Sequence, residues 1–213
     1  MSGLLVTFEG GEGSGKSTQL ERLAARLRAQ GPEPVMTREP GGTPFAERVR
    51  GLLLDSPDPP DPPGPLAEAL LMVAARADLV RRVLEPALRS GRVVLCDRYA
   101  DSTLAYQGAG RGLDMALLSA LNRAATRGLM PDLTLLFDID PAIGMARRER
   151  ASGPTNRLDR EPLEFHQRVR GFYLELAARE ADRFVVVDAA EPPEQVAARV
   201  WSALEERLSR ARI

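Results

Sequence analysis

Short runs of apolar and β-branched residues recur along the chain, and stretches with helical spacing of apolar residues lie between them. The runs show little alternation of apolar and polar positions, which is typical of strands buried on both faces of a parallel sheet. They cover residues 4–9, 34–37, 92–97, 133–138 and 184–188. Helical patterns begin near Leu20 and Leu66 and cover residues 113–126, 163–181 and 196–208. Because strand and helix alternate, the pattern predicts an α/β fold with a doubly wound, five-stranded parallel sheet flanked by helices.

Two stretches depart from this alternation. Residues 55–65 contain six prolines in eleven positions, which excludes regular ladders and predicts a stiff connection ahead of a helix. Residues 147–160 carry five arginines around Ser152, Gly153 and Pro154, a composition typical of a mobile basic flap. We interpret the first as a connection within one domain, so residues 1–213 are predicted to form a single domain with a small lid at 147–160.

Composition narrows the class of protein. The 213 residues carry 29 basic and 30 acidic side chains, and this balance argues against nucleic acid as the main partner. The single cysteine, Cys96, excludes an intramolecular disulfide and indicates a reducing compartment. No apolar run approaches the roughly 18 residues of a membrane span, and the N-terminus lacks the features of a signal peptide. We therefore expect a cytoplasmic protein with no membrane partner.

One lysine stands among the 29 basic residues, and it lies in a glycine-rich segment. Residues 10–18 read GGEGSGKST, directly after the first predicted strand and before a helical pattern. This is the phosphate-binding pattern G-x-x-x-x-G-K-[ST] in the context that it requires. Backbone N–H groups of such a loop bind phosphate, the lysine reaches the terminal phosphates, and the first hydroxyl ligates Mg²⁺. The predicted ATP-binding residues are Gly10, Gly11, Glu12, Gly13, Ser14, Gly15, Lys16, Ser17 and Thr18.

The phosphate-binding loop does not identify the reaction, but the sequence argues against two classes of nucleotide-binding protein. A GTPase reads guanine through Asn-Lys-x-Asp, which a chain with its only lysine at position 16 cannot contain. A remodelling ATPase has Asp-Glu at the end of a strand, whereas here Asp97 is followed by Arg98. An arginine there suits an anionic second substrate better than water, so the residues favour a small-molecule kinase.

Three segments then resemble one family. Residues 95–107, LCDRYADSTLAYQ, resemble position by position the signature segment of thymidylate kinases, which phosphorylate dTMP. The segments TREPGGT at 37–43 and PDLTLLFDIDP at 131–141 are similar to that family as well. The resemblance implies the nucleoside monophosphate kinase fold, Mg²⁺-dependent transfer from ATP to dTMP, and a homodimer.

The resemblance also implies roles for individual residues at the acceptor phosphate. Asp97 and Ser17 would hold Mg²⁺, and Lys16 and Arg98 would be catalytic. Arg98 would bind the acceptor phosphate, with Arg38 nearby.

The nucleoside site follows from the same resemblance. Arg76 would donate to a carbonyl of the base. Tyr106 and Gln107 would close over the nucleoside, the tyrosine crowding a ribose 2′-OH, and Glu12 would approach the sugar. Met72 stands where the family has an aromatic residue that stacks on thymine. This departure leaves open a related nucleoside monophosphate kinase with a different base choice, and a low-turnover regulatory module is the alternative from another class.

The flap arginines separate two subclasses of the family. One has an arginine in the phosphate loop, and the other supplies arginines from the lid. Residues 12–14 contain no arginine, so the second subclass is implied. The candidate catalytic residues in the lid are Arg147 and Arg150 first and Arg157 after them, because a closing arginine can stabilise charge on the transferred group.

Overall fold

A computed structural model describes residues 3–31, 33–54, 62–151 and 156–211. Most of the predicted stiff connection, residues 55–61, and residues 152–155 of the predicted flap lie outside this range. The predicted five-stranded parallel sheet is confirmed. The strands are β1 (Leu4–Gly10), β2 (Val35–Arg38), β3 (Val93–Asp97), β4 (Leu133–Asp138) and β5 (Phe184–Asp188). Their spatial order is β2-β3-β1-β4-β5, with every neighbouring pair parallel.

Helices connect the strands. The α-helices are α1 (Lys16–Gln30), α2 (Pro44–Leu54), α3 (Pro65–Leu79), α4 (Glu85–Arg89), α5 (Ala100–Thr103), α6 (Met115–Thr126), α7 (Pro141–Arg150), α8 (Leu163–Arg179) and α9 (Pro193–Ala211). Two π-helical segments, Val80–Leu84 and Leu104–Gly110, continue α3 and α5, and a 3-10 turn covers Arg157–Arg160. Helices pack on both faces of the sheet, because alternate residues of β1 point to opposite sides. Val6 and Phe8 belong to a core cluster with α1 and α9, whereas Leu5 packs against the end of α3 and its π-helical continuation.

The boundaries differ from the sequence expectation by at most four residues. Strands β4 and β5 are as predicted, whereas β1 gains Gly10 and β2 is shifted one residue towards the C-terminus. Helix α6 begins at Met115 because Asp114 caps it, its carboxylate accepting from the Leu117 N–H at 2.6 Å. Helix α2 was not predicted, although Ala46, Val49 and Leu53 are buried at helical spacing.

Strand register brings the chemically interesting segments to one edge. Phe8 of β1 pairs with Asp97 of β3, and Gly10 pairs with Phe137 of β4. The loop after Gly10 and the turn after Asp97 therefore leave the carboxyl edge of the sheet side by side. In open α/β sheets, ligands bind at this edge where the strand order changes direction, and here β1 lies between β3 and β4.

Candidate functional site

The phosphate-binding loop bends between β1 and the start of α1. Gly13 and Gly15 have φ angles of 66° and 82°, in the left-handed region that favours glycine. A side chain at Gly13 would also collide with the backbone of Gly144 in α7. The loop therefore requires glycine at these positions, and it ends on the N-terminal turn of a 15-residue helix, where backbone N–H groups and the helix dipole favour an anion.

Lys16 lies inside this loop and is 7% exposed. Its Nζ donates to the carbonyl oxygens of Gly10 and Gly11 at 3.0 and 2.7 Å and to Ser14 Oγ at 3.2 Å. Burial and the neighbouring Arg98 guanidinium lower the pKa of Lys16 to about 8. The Lys16 ammonium is held by neutral oxygens. A phosphate that enters the loop would therefore meet a positive charge that burial has already partly removed from water.

Ser17 and Asp97 meet next to the loop. Ser17 Oγ, in the first turn of α1, donates to Asp97 Oδ2, at the end of β3, at 2.9 Å. A hydroxyl and a carboxylate oxygen are hard oxygen ligands of the kind that Mg²⁺ takes, so the pair fits the predicted metal. Across the described residues, no three or more His, Cys, Asp or Glu side chains are grouped to hold a metal.

Arg98 follows Asp97 with a φ of 68°, unusual for an arginine. Its Nη2 donates to Glu12 Oε1 at 2.7 Å, its Nη1 donates to the Gly10 carbonyl at 3.0 Å, and its guanidinium lies 4.7 Å from the Tyr106 ring centroid. The Tyr106 hydroxyl also donates to Glu12 Oε1, at 3.0 Å. Burial alone would raise the pKa of Glu12, but Arg98 and Lys16 outweigh it and lower that pKa to about 2. Two opposite charges thus face each other across the loop.

Glu9 lies beneath Arg98 and is fully buried. Its carboxylate accepts from the Tyr99 N–H at 2.8 Å, from Ser102 Oγ at 2.6 Å and from the Tyr173 hydroxyl at 2.7 Å. The Tyr99 contact fixes the residue next to the left-handed Arg98. Burial, with a contribution from Asp101, raises the pKa of Glu9 to about 7.

Arg76 lies deeper, on α3, and is 2% exposed. Its Nε and Nη2 bind Glu39 Oε2 at 2.7 and 2.6 Å. Its Nη1 donates to Thr103 Oγ1 at 3.0 Å and to Asn122 Oδ1 at 2.6 Å, and its Nη2 donates to the Tyr99 carbonyl at 3.0 Å. Burial alone would lower the pKa of Arg76, but Glu39 outweighs it and raises that pKa. Each terminal nitrogen therefore already has at least one protein partner.

Met72 and Gln107 lie beside Arg76. Met72 precedes Arg76 by one helical turn and is half-buried, as the predicted shared helix face requires. Gln107 lies in the π-helical segment after α5, is 2% exposed, and donates through Nε2 to Glu68 Oε1 at 2.7 Å. Glu68 lies one turn before Met72 on α3, so Glu68, Met72 and Arg76 lie on one face of that helix.

One cavity of about 510 Å³ joins these groups. One end of it, called the phosphate end below, consists of the loop at 12–18 together with Asp97 and Arg98. The other end consists of Met72, Arg76 and Gln107, and we call it the base end because the base is predicted to bind there. The predicted residues that line it are Glu12, Gly13, Ser14, Gly15, Lys16, Ser17, Thr18, Arg38, Met72, Arg76, Asp97, Arg98, Tyr106, Gln107 and Arg147. Gly10 and Gly11 lie behind Lys16, and Arg150 and Arg157 are also outside this lining.

The candidate lid arginines occupy three different environments. Arg147 donates through Nη1 to the Ala189 carbonyl at 2.7 Å while lining the cavity. Arg150 ends α7 with its side chain exposed. Arg157, in the 3-10 turn, forms an ion pair with Glu68. Arg38 lies at the cavity edge, 54% exposed, with Glu47 at 3.1 Å.

Among the residues at or behind this cavity that sequence reasoning did not assign to the site are Arg148, Glu9 and Glu68. Arg148 lines it and forms an ion pair with Asp159 at 3.2 Å. Glu9 and Glu68 are buried acids whose hydrogen bonds hold residues of the site. Two signals could have found them: Glu9 ends an otherwise apolar strand, and Glu68 precedes Met72 and Arg76 at successive intervals of four residues.

Comparison with known proteins gives one consistent result. The model of the family described as "Thymidylate kinase" matches residues 8–200. The thymidylate kinase of Deinococcus radiodurans is 54% identical over 205 residues, which cover 96% of this chain and 98% of that protein. The thymidylate kinase of Thermomicrobium roseum is 52% identical over 207 residues, covering 97% of each. The crystal structure of thymidylate kinase from Ehrlichia chaffeensis superposes with a TM-score of 0.77 at 32% identity, covering 96% of this chain and 99% of that one.

Proposed function

Because the chain belongs to the thymidylate kinase family, we propose that it transfers the γ-phosphoryl group of ATP to the phosphate of dTMP, giving ADP and dTDP. The observation that carries this proposal is the single cavity, which has a phosphate loop at one end and a buried arginine on the base side at the other. An acceptor phosphate is already ionised, so the transfer needs no general base and depends on positioning and electrostatic stabilisation.

The phosphate end supplies the charge for this transfer. Lys16 binds the terminal phosphates of ATP by exchanging its neutral oxygen partners for anionic ones. Arg98 binds the acceptor phosphate, and its fork can contact two oxygens at once. Glu12 holds Arg98 until the phosphate arrives, and in the ligand-free site the charges of Arg98 and Lys16 lower the pKa of Glu12 to about 2. Mg²⁺ at Ser17 and Asp97 would neutralise charge on the phosphates of ATP and would take further ligands from phosphate and water.

The base end selects the acceptor. Met72, Arg76 and Gln107 line this end of the cavity, so Met72 would pack on one face of the base, and Arg76 and Gln107 would meet its polar edge. Tyr106 is fixed by its hydrogen bond to Glu12, and in this position it excludes a 2′-hydroxyl and favours a deoxynucleotide.

Lid arginines complete the site when both substrates are bound. Arg147 is the first candidate because it already lines the cavity, followed by Arg150 and Arg157. A guanidinium closing on the transferred group stabilises charge on its oxygens and excludes water. Arg38 contributes at the rim, near the acceptor phosphate.

A panel of acceptors tests the reaction. We expect rapid ADP formation from ATP with dTMP, and slow or no formation with dUMP, AMP, CMP and GMP. Preference for another acceptor would make the protein a related nucleoside monophosphate kinase, as the methionine at position 72 allows. No turnover with any acceptor would contradict the kinase proposal and favour a regulatory nucleotide-binding module. Omission of Mg²⁺ should abolish turnover, and the Asp97→Asn variant should require more of it.

A homodimer in the cytoplasm is part of the proposal. Leu52, Leu66, Leu70 and Leu117 are 44–70% exposed on α2, α3 and α6, helices that pack side by side. Such a set of exposed apolar side chains marks an interaction surface. None of the described helices is both long and apolar enough to cross a membrane. Light scattering should give twice the 23.2 kDa chain mass, and Leu52→Glu should shift the protein towards monomer; a monomeric wild type contradicts the dimer.

A further inference from the structure

Glu68 is a buried carboxylate at the base end that the transfer of phosphate does not use. It is 1% exposed on α3. Its Oε1 accepts from Gln107 Nε2 at 2.7 Å, and its Oε2 accepts from Arg111 Nη2 at 3.4 Å and also pairs with Arg157. A carboxylate is costly to bury unless it is paired and hydrogen-bonded, and here both oxygens are engaged.

The contact with Gln107 fixes the orientation of an amide. A side-chain amide has a donor end and an acceptor end, and the two are easily exchanged by rotation about the last bond. An ionised carboxylate flanked by two guanidinium groups accepts hydrogen bonds and donates none, so it binds the NH₂ end of Gln107 and excludes the oxygen end. The side-chain amide oxygen of Gln107, Oε1, makes no hydrogen bond to the described residues, and Gln107 lines the cavity. The base site therefore presents an acceptor at this point.

Two arginines, Arg111 and Arg157, form ion pairs with Glu68 and balance its charge. Arg111 lies between Glu68 and Glu161, 2.7 Å from the latter. Arg157 comes from the 3-10 turn, whose Leu158 is buried in the core shared with α2 and α8. The charge that orients Gln107 is therefore balanced by a residue from the predicted lid, although Arg157 does not line the cavity.

We propose that Glu68 is a positioning residue that sets the base selectivity of the acceptor site by holding Gln107 with its amide oxygen towards the base. An acceptor at that point matches a ring nitrogen that carries hydrogen, as N3 of thymine and uracil does. It repels the bare N3 of cytosine, which is itself an acceptor. This inference rests on the proposed placement of the base against Gln107.

Four variants and one ratio test it. The ratio is kcat/KM for dTMP divided by kcat/KM for dCMP. In Glu68→Gln the neutral amide no longer dictates which end of Gln107 it meets. We expect the ratio to fall about tenfold, mainly through a higher KM for dTMP with kcat retained, which is the signature of lost binding and not of lost chemistry. Gln107→Leu removes the acceptor itself and should lower the ratio at least as far.

Glu161→Gln is the matched control. It removes the other carboxylate partner of Arg111, and Glu161 contacts neither Gln107 nor Arg157 in the part of the chain that the structure describes, so the ratio should stay at the wild-type value. If Glu68→Gln fails to fold, Glu68→Asp keeps the charge between the two arginines and withdraws it from Gln107 by one methylene. That variant should lower the ratio about threefold.

The outcomes separate the two proposals. A ratio lowered by Gln107→Leu but unchanged in the folded Glu68 variant overturns the positioning role and leaves the base site standing. A ratio unchanged in both variants overturns both. A fall in Glu161→Gln equal to that in Glu68→Gln also overturns the inference, because the effect would then come from Arg111 and not from the orientation of Gln107.

Discussion

Two arginines at opposite ends of one cavity are held by the protein in different ways. Arg98, at the phosphate end, is 17% exposed and has one carboxylate partner, Glu12, which shares that exposure. Arg76, at the base end, is 2% exposed and bound by Glu39, two further side-chain oxygens and a backbone carbonyl. We expect Arg98 to exchange its carboxylate partner for a phosphate at little cost. Arg76 cannot leave its partners without exposing several buried polar groups.

The difference shows how one residue type can be used for chemistry or for construction. At the phosphate end, charges are balanced in pairs that a ligand can enter, as with Lys16 on neutral oxygens. At the base end, hydrogen bonds are nearly complete before any ligand binds. We therefore expect substitutions at the phosphate end to reduce turnover with the fold intact, and substitutions at Arg76 to reduce stability first.

Matched substitutions of these two arginines by lysine should give the largest contrast. Arg76→Lys keeps the charge but loses the planar fork, which leaves Thr103, Asn122 or the Tyr99 carbonyl unpaired in the interior. We expect a loss of about 3 kcal/mol in the free energy of unfolding. Arg98→Lys should cost under about 1 kcal/mol but should lower kcat about 10²-fold. Urea denaturation and steady-state kinetics measure both, and equal stability losses would remove the distinction.

Lys16→Arg tests the phosphate end alone. A planar guanidinium cannot occupy the space in which one ammonium meets the carbonyls of Gly10 and Gly11. We expect turnover to fall about 10²-fold or more with little change in unfolding. The control is Arg22→Lys, which exchanges the same two residue types in the opposite direction at the surface. Arg22 is 42% exposed beside Glu194, so this variant should keep wild-type turnover. Near-normal turnover in Lys16→Arg would show that any cation suffices in the loop.

The two ends also differ in how far the sequence alone could predict them. The phosphate loop and Asp97 belong to contiguous segments whose local chemistry constrains nearly every position, so the pattern identifies them. The partners of Arg76 come from positions 39, 99, 103 and 122, and Glu68 meets Gln107 and Arg157 from 39 and 89 residues away. Such contacts depend on the packing of α3 against α5 and α6, which apolar periodicity does not specify. The helix at Pro44–Leu54 was missed although its spacing was legible, and the π-helical turns have no comparable signal.

Glu9 links the phosphate end to the sheet, and its stability contribution should depend on pH. Its pKa is raised from 4.5 to about 7 in the folded protein, so the folded state binds the proton more tightly than the unfolded state. That contribution is fully present below about pH 4.5 and is lost as pH rises through about 7. Glu9→Gln retains an acceptor for the Tyr99 N–H and does not titrate. Between about pH 5 and pH 8 the wild type should therefore lose on the order of 1–3 kcal/mol relative to this variant. Parallel urea curves that keep a constant separation across this range would contradict the shift.

The lid arginines should differ in effect because their surroundings differ. Arg147 lines the cavity, whereas Arg150 is exposed at the end of α7. We expect Arg147→Ala to lower kcat about tenfold and Arg150→Ala to change it less than about threefold. The sequence did not distinguish Arg147 from Arg150 as candidate catalytic residues. Single-turnover rates of the two alanine variants decide which of them acts in the transfer. A larger effect at Arg150 would mean that α7 turns its other face to the substrates when they bind.

The smallest expected effect is the pH dependence that the titration of Lys16 gives to ATP binding. It should appear in kcat/KM, which reports on the empty phosphate end, and not in kcat, which reports on the filled one. In the empty loop its pKa is about 8, and only the protonated form attracts phosphate, so ATP binding should weaken as pH rises. The protonated fraction predicts a fall of about fourfold in kcat/KM for ATP from about pH 7 to about pH 8.5. Bound phosphates stabilise the ammonium and raise its pKa, so kcat at saturating ATP should stay level over the same range. Lys16→Arg, whose guanidinium does not titrate there, should show no such fall in its residual kcat/KM. If the fall persists in that variant, it comes from the titration of another group. Lys16 would then remain protonated over this pH range even in the empty loop, as Arg76 does at the base end.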